Sequence, residues 1–219
     1  MWSSEVTNMI ITGIWETLYM TLVSTLVGYV IGLPMGIILT VSDKDGIKPN
    51  AVLYKILDVI ANIVRSVPFI ILLVLLIPFT RLVVGKRYGS TATIVPLVIA
   101  AAPYIARMVE SSLKEVDAGV IEAARSMGAS NFTIITKVML VEARTSLLVG
   151  ATITLGTILG YSAMSGAVGG GGLGAIAIRY GYTRWQTDIM IVTVILLIIL
   201  FQIFQTVVMK LADKFDHRK

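Results

Sequence analysis

Apolar residues in this chain gather into stretches about as long as a bilayer is thick, with short polar segments between them. About 20 apolar residues on a helix cross a hydrocarbon core. Residues 17–42, 88–106, 145–178 and 189–209 carry no charged side chain, and 56–80 carry only Asp58 and Arg65. The pattern predicts an all-α, polytopic membrane protein with five transmembrane helices, organised as one domain over residues 1–219. The fourth stretch is too long for one crossing. It predicts a helix over about 145–164, followed by a glycine-rich re-entrant or loop segment, GAVGGGGLGAIAI. Pro68 and Pro78 lack backbone donors and are expected to kink the second span. Pro34, Pro96 and Pro103 are expected to do the same in the first and third.

Composition strengthens this reading. Of 219 residues, 56% are hydrophobic and 14% charged, whereas about a quarter of a soluble domain's residues are charged. There is no cysteine, which excludes disulfides, thiolate catalysis and cysteine-ligated metals. The N-terminal stretch MWSSEVTNMIITGIWETLYM lacks the basic region of a cleavable signal, its first Lys or Arg being Lys44, and is expected to be a mature end.

Charge placement then orients the chain. With the N-terminus outside, the inner segments hold Lys44, Lys48, Lys55, Arg107, Lys114, Arg125, Lys137, Arg144, Lys210, Lys214, Arg218 and Lys219. The outer segments hold Arg81, Lys86, Arg87, Arg179 and Arg184. The excess predicts a cytoplasmic C-terminus. In a membrane protein, the surplus of 18 basic over 13 acidic residues speaks to orientation rather than to nucleic acid.

One polar stretch, EAARSMGAS at 122–130, then falls on the cytoplasmic side. Asp117 is a candidate N-cap ahead of Val120, Ile121, Ala124 and Met127, which fall at helical spacing and are expected to form one face. Gly128 ends or sharply bends the helix. Ser130 can cap a second short one, with Phe132, Ile134, Ile135 and Val138 on its apolar side. Periodicity alone leaves open a connector that rests on the membrane interface.

The segment resembles the EAA loop of binding-protein-dependent ABC transporter permeases: E-A-A, three residues, G, nine residues, then I-x-L-P. Glu122, Ala123, Ala124 and Gly128 match, and Val138 and Leu140 stand at the hydrophobic pair. Val141 replaces the final proline. The stretches RSVPFIILLVLLIPFTRLVVG, PYIARMVESSLKEVDAGVIEAARSMGA and GYSAMSGAVGGGGLGAIAIRYGY are similar to those of methionine-importing permeases of the MetI type. The resemblance implies a type I importer fold with a coupling helix in a loop at about 117–141. It implies that Glu122, Ala123, Ala124, Gly128 and Ser130 dock on a cytoplasmic ATPase. Two copies of the chain would form the pore, two ATPase subunits would hold ATP and magnesium, and an extracytoplasmic binding protein would deliver methionine. This chain itself would need no cofactor. The setting implied is a bacterial inner membrane, with lipid around the chain and no nucleic acid.

Other candidates lie inside the spans. Met164 is either core filler or, by the resemblance, a gate closed by one side chain from each copy. Arg65 lies two helical turns from Asp58, so the two share a face about 10 Å apart along the axis. It could pair with another helix or meet a substrate carboxylate. Pro68 follows it, and breaks of this kind border translocation paths. GGGGLG satisfies G-x-G-x-x-G formally, but no strand precedes it. Ala175 and Ile176 stand where a phosphate loop needs Lys and then Ser or Thr, so close packing is the better reading. No acid pair, histidine cluster or Ser/His/Asp set suggests catalysis; the one histidine, His217, lies in the charged tail. The aliphatic lining would equally suit another small apolar amino acid. A secondary transporter independent of ATP would have Asp58 as its one clear ion-binding candidate, and a structural or sensor protein would leave the breaks in the spans without a role.

Overall fold

The computed structural model describes residues 4–215. The expectations placed on residues 1–3, His217, Arg218 and Lys219 lie outside the described residues. Among the described residues, every regular element is helical.

The first helix, α1 (Ser4–Ser42), starts well ahead of the predicted Thr17. Glu5 in its first turn suits the positive end of the helix dipole. Glu16 does not interrupt it because its carboxylate accepts a backbone hydrogen bond from Gly172 at 2.7 Å. Gly28, Gly32 and Gly36 recur once per turn on one face. A Cβ at Gly32 would sit 2.6 Å from the Ala102 carbonyl oxygen, and one at Gly36 2.6 Å from that of Ala106. These glycines let α1 pack backbone to backbone on α5 (Ser90–Lys114), as small-residue stripes do between membrane helices. This is the most extensive helix pair in the fold.

The predicted second crossing is not one kinked helix. It comprises α2 (Ala51–Ser66), α3 (Phe69–Leu75) and α4 (Ile77–Val84), with a 101° bend between α2 and α3. The break follows from Pro68. Proline disfavours helical backbone in the residue before it, and Val67 is extended (φ −83°, ψ 124°). Pro78 falls in the first turn of α4, where no donor is missed. Pro34 lies inside α1, and Pro96 and Pro103 inside α5. Both helices continue past them, so among the prolines expected to interrupt spans only Pro68 ends a helix.

Cross-links fix the topology. Gly28, Gly32 and Gly36 meet Ala101, Ala102 and Ala106 in order, so α1 and α5 run parallel. Tyr54, Asp58 and Arg65 of α2 meet Glu110, Arg107 and Tyr104 in reverse order. The segment α2–α4 thus starts beside the end of α5 and finishes beside its start, and the broken helix makes one net passage along the bundle. Among the described residues, four further helical segments, Arg144–Tyr182 counted as one, are long and apolar enough to cross a membrane, which with the bent one makes up to five spans.

Beyond α5 come α6 (Ala118–Ser126), α7 (Asn131–Thr133), a π-helical stretch over Ile134–Met139 and α8 (Leu140–Glu142). The fourth span, α9 (Arg144–Ser165), agrees with its predicted extent. It is followed by a 3-10 turn at Gly166–Val168, α10 (Gly172–Ile176) and a π-helical stretch over Ala177–Tyr182. The last helix is α11 (Thr187–Phe215). Met20, Leu97, Ile105, Val109 and Ile158 fill the core between α1, α5 and α9.

Candidate functional site

The polar loop folds as a helix, a turn and a helix, and its sequence explains each step. Asp117 caps α6, its Oδ1 accepting from the Gly119 amide at 2.7 Å. At the far end Gly128 adopts φ +79°, the left-handed conformation that glycine takes without a Cβ penalty. Its amide donates to the Arg125 carbonyl at 2.9 Å, and the Ala129 amide to that of Ala124 at 3.1 Å. These two bonds make a Schellman stop. Ser130 then caps α7, its Oγ accepting from the Thr133 amide at 3.2 Å.

The apolar face expected on α6 divides in two. Ala124 is buried and Ile121 packs against the core cluster, whereas Val120 and Met127 are exposed, Met127 by 82%. At 100° per residue, Val120, Ala123 and Met127 share one line on the helix, and Ile121 and Ala124 another. The apolar arc is wider than the surface it packs on, so one edge of it faces outward. Phe132, expected beside Ile134, Ile135 and Val138, is 75% exposed on the same turn. Ile134 alone of that set is fully buried, and Ile135 and Val138 lie against the core. Val120 and Met127 on α6 and Phe132 just after Ser130 thus present apolar side chains outward, whereas Glu122 lies toward the opposite side of α6, on the cavity.

α6 is tied to the bundle on its other side. The Arg125 guanidinium donates to the Ile47 carbonyl at 3.1 Å, which fixes α6 to the loop after α1. Glu122, Arg125, Asp45, Ile47 and Lys114 line a cavity of about 520 Å³ between that loop, the end of α5 and α6. Lys114 reaches across to Asp43 at 2.7 Å, and this ammonium holds the Asp43 carboxyl below the usual carboxylate range.

Lys114 is one member of a charge network that sequence reasoning missed. Glu110, its side chain 5% exposed, pairs with Lys114 at 2.8 Å and with Arg107 at 2.7 Å. Arg107 also pairs with Asp58 and donates to Asn62 Oδ1 at 3.0 Å. Tyr54 donates to Glu110 at 3.3 Å. The signal was present in RMVESSLK: Arg107, Glu110 and Lys114 stand at i, i+3 and i+7, which is one helix face. Mutual neutralisation lets α5 continue through residues 107–114, past the predicted limit of its span. It also joins the loop after α1 to α2 and α5 just before α6.

Of the predicted pathway residues, Pro68 and Arg65 stand at the break between α2 and α3. Arg65 is exposed in the last turn of α2, its guanidinium 5.9 Å from the centre of the Tyr104 ring on α5. It does share its helix with Asp58, but Asp58 is committed to Arg107. Phe69, beside Pro68, stacks on Tyr161 of α9 with ring centres 4.4 Å apart. Met164 lies one turn beyond Tyr161, near the end of α9, with half of its surface exposed. The α2–α3 break and the end of α9 are therefore neighbours. Core filling does not describe a methionine this exposed.

The glycine run is a packing device. A Cβ on Gly166 would lie 2.2 Å from the Ala175 amide nitrogen, and one on Gly174 2.1 Å from the Ala163 carbonyl oxygen. Three of its amides are engaged within the chain. Gly170 donates to the Ser165 carbonyl, Gly172 to Glu16 and Leu173 to Thr17. Backbone engaged in this way is not a phosphate cradle.

The family model of binding-protein-dependent transport system inner membrane components matches residues 28–218. The probable D-methionine transport system permease protein MetI of Vibrio cholerae is 48% identical over 217 residues, which is 99% of this chain and 96% of that protein. The D-methionine transport system permease protein MetI of Escherichia coli is 52% identical over 158 residues, covering 72% of this chain and 73% of its own. Among solved structures, an inward-facing conformation of the MetNI methionine ABC transporter superposes with a TM-score of 0.96 at 48% identity, covering 99% of this chain and all of that one. An amino acid ABC transporter crystallised with histidines, 22% identical, shares the fold with a TM-score of 0.78 over 96% of this chain.

Proposed function

Because this chain belongs to the family of binding-protein-dependent transport system inner membrane components, we propose that it works as the methionine-conducting permease of an ATP-driven importer, with α6 as its coupling helix. The permease is a non-catalytic membrane subunit, and ATP hydrolysis belongs to a separate ATPase subunit. The observation that carries the mechanism is the outward apolar line of Val120, Ala123 and Met127 on α6, stopped by Gly128. Small residues allow close approach of a partner, and the Schellman stop and Ser130 cap hold the turn in one conformation. Glu122, on the cavity side of α6, can meet a basic or backbone donor of the ATPase where the cleft reaches around the helix.

In this reading two copies of the chain face each other, each seated on one ATPase that holds ATP and magnesium. ATP binding draws the ATPases together, and the coupling helices carry that displacement into the bundle as a rigid-body motion. The pore halves rock and open outward to receive methionine, L or D, from an extracytoplasmic binding protein. Hydrolysis resets them. Met164, exposed beside the α2–α3 break, closes the path against its counterpart, with Arg65 and Pro68 bordering it. Lys44, Lys48, Lys114, Arg125, Lys137 and Arg144 cluster at the α6 end of the bundle, which supports placing that end in the cytoplasm of a bacterium and the start of α1 outside.

An ATP-independent transporter fits less well, since its one acidic candidate, Asp58, is paired with Arg107. The test is uptake of labelled L-methionine into liposomes holding this chain and its ATPase, with the binding protein outside and ATP present or absent inside. Uptake that needs ATP, and that unlabelled methionine competes better than leucine, is the expected result. Uptake without ATP overturns the reading.

A further inference from the structure

α1 carries two polar side chains that transport, as derived so far, does not use. Glu16 accepts the Gly172 amide at 2.7 Å. Its neighbour Thr17 is 1% exposed, and its Oγ1 accepts the Leu173 amide at 2.9 Å while donating to the Gly13 carbonyl at 2.8 Å. These successive residues thus grip the first two residues of α10. The fit is tight: a Cβ on Gly172 would lie 2.7 Å from Thr17 Oγ1, and one on Gly171 2.9 Å from Glu16. α10 in turn lies back along the end of α9, backbone to backbone at Gly174 and Ala163, next to Met164.

The same helix reaches the other end of the molecule. Its 39 residues extend about 58 Å at 1.5 Å each. Gly28, Gly32 and Gly36 lock it in register on α5, Asp43 just past its end pairs with Lys114, and the Ile47 carbonyl holds Arg125 of α6. A continuous set of contacts thus runs from α6 through the α1–α5 pair to Glu16 and Thr17, and from there to the segment beside Met164.

We propose that Glu16 and Thr17 are positioning residues that latch the re-entrant segment Gly166–Ile176 to α1, so that displacement of the coupling helix is delivered to the gate at Met164. The inference rests on the importer reading and adds to it the route by which force reaches the gate. A carboxylate suits the task because a charged acceptor on a backbone amide holds more strongly than a neutral one. Glutamine keeps an acceptor oxygen at the same reach; alanine removes it.

The experiment compares Glu16→Ala, Glu16→Gln and Thr17→Val with the wild-type chain, each reconstituted with the ATPase and binding protein, with uptake and ATP hydrolysis measured on the same liposomes. ATP-dependent methionine uptake by the wild type establishes the importer reading independently of the variants. Its absence would sink that reading and, with it, the latch. Given a working wild type, Glu16→Ala should lower methionine imported per ATP hydrolysed by about tenfold, the scale of one charge-assisted hydrogen bond, with hydrolysis itself changing less than about twofold. Glu16→Gln should recover most of that ratio. A purely structural role would lower uptake and hydrolysis together and leave the ratio unchanged, and that outcome overturns the latch, as does a glutamine variant no better than alanine. If Glu16→Ala fails to assemble with the ATPase, Thr17→Val decides: a lowered ratio supports the latch and a wild-type ratio refutes it.

Discussion

Replacing Gly128 by proline tests the coupling-helix reading at its most exposed structural commitment. Gly128 sits at φ +79°, while proline fixes φ near −65°, about 145° away. Proline also deletes the amide that donates to Arg125 and, by moving the turn, disrupts the Ala129-to-Ala124 bond, at roughly 1 kcal/mol each. It further disfavours the helical backbone of the preceding residue, Met127, now at φ −79°, ψ 4°. The sum is about 3 kcal/mol or more against the native turn, so the docking geometry becomes more than about a hundredfold rarer. No atom lies within 4 Å of where a Cβ would stand on Gly128, so the penalty is conformational and local.

Gly128→Ala therefore serves as a graded control. It retains the amide and costs about 1 kcal/mol for a left-handed L-residue, roughly a fivefold loss of native turn. Measured as ATP-driven methionine uptake at matched membrane abundance, alanine should reduce transport several-fold and proline should abolish it. Wild-type uptake in a well-expressed Gly128→Pro chain would show that the turn does not transmit force.

Glu122→Lys places a third cation beside Arg125 and Lys114 in the cavity under α6, and should abolish uptake without removing the chain from the membrane, read by uptake and membrane abundance together. Met164→Ala removes a half-exposed side chain at little cost in stability, and should raise basal ATP hydrolysis or leak of methionine from loaded liposomes; an unchanged leak and basal rate count against the gate. Arg107→Ala strips Glu110 of one of its two cations in a buried setting, and should destabilise the bundle by about 3–5 kcal/mol, seen as a large fall in melting temperature in detergent. Asp43 titrates below its unfolded value, so its stabilisation is complete above the ordinary carboxylate range and is lost as pH falls through the lowered folded value; Asp43→Asn should flatten that acid loss of thermal stability.

Spans one, three, four and five were legible because uncharged length is a sufficient signal for a crossing. The start of the first and the end of the third were not, since charge marks the end of a span only when it is unpaired. Arg107, Glu110 and Lys114 neutralise one another, and Glu16 is satisfied by a backbone amide. The caps of the polar loop at Asp117, Gly128 and Ser130 were legible for a different reason: each is a local hydrogen-bonding rule that tertiary packing has no cause to override. The bend at Pro68 was only half legible. Proline predicts a break, but its angle depends on what α3 packs against, here α5 and Tyr161 of α9. The direction of the apolar edge of α6 was hidden because periodicity defines an arc and not the width of the surface that will cover it.

In the proposed importer, the parallel pairing of α1 and α5 would let a chain without an energy source of its own be driven from one end. A strut must resist sliding, and aliphatic side chains in lipid resist it poorly, because lipid tails replace one apolar contact with another at little cost. Glycine stripes behave differently: with Gly32 and Gly36 pressed against the Ala102 and Ala106 carbonyls, a shift along the axis drives backbone into side chains. The charge network adds direction, since Asp43, Asp58, Glu110, Arg107 and Lys114 find all their partners in one register only. Steric lock in the middle, ionic lock at the α6 end and the Glu16–Thr17 grip at the far end act on the same helix. On the proposed coupling, a displacement at α6 would therefore be carried along α1 as a whole, where a more yielding contact would absorb it.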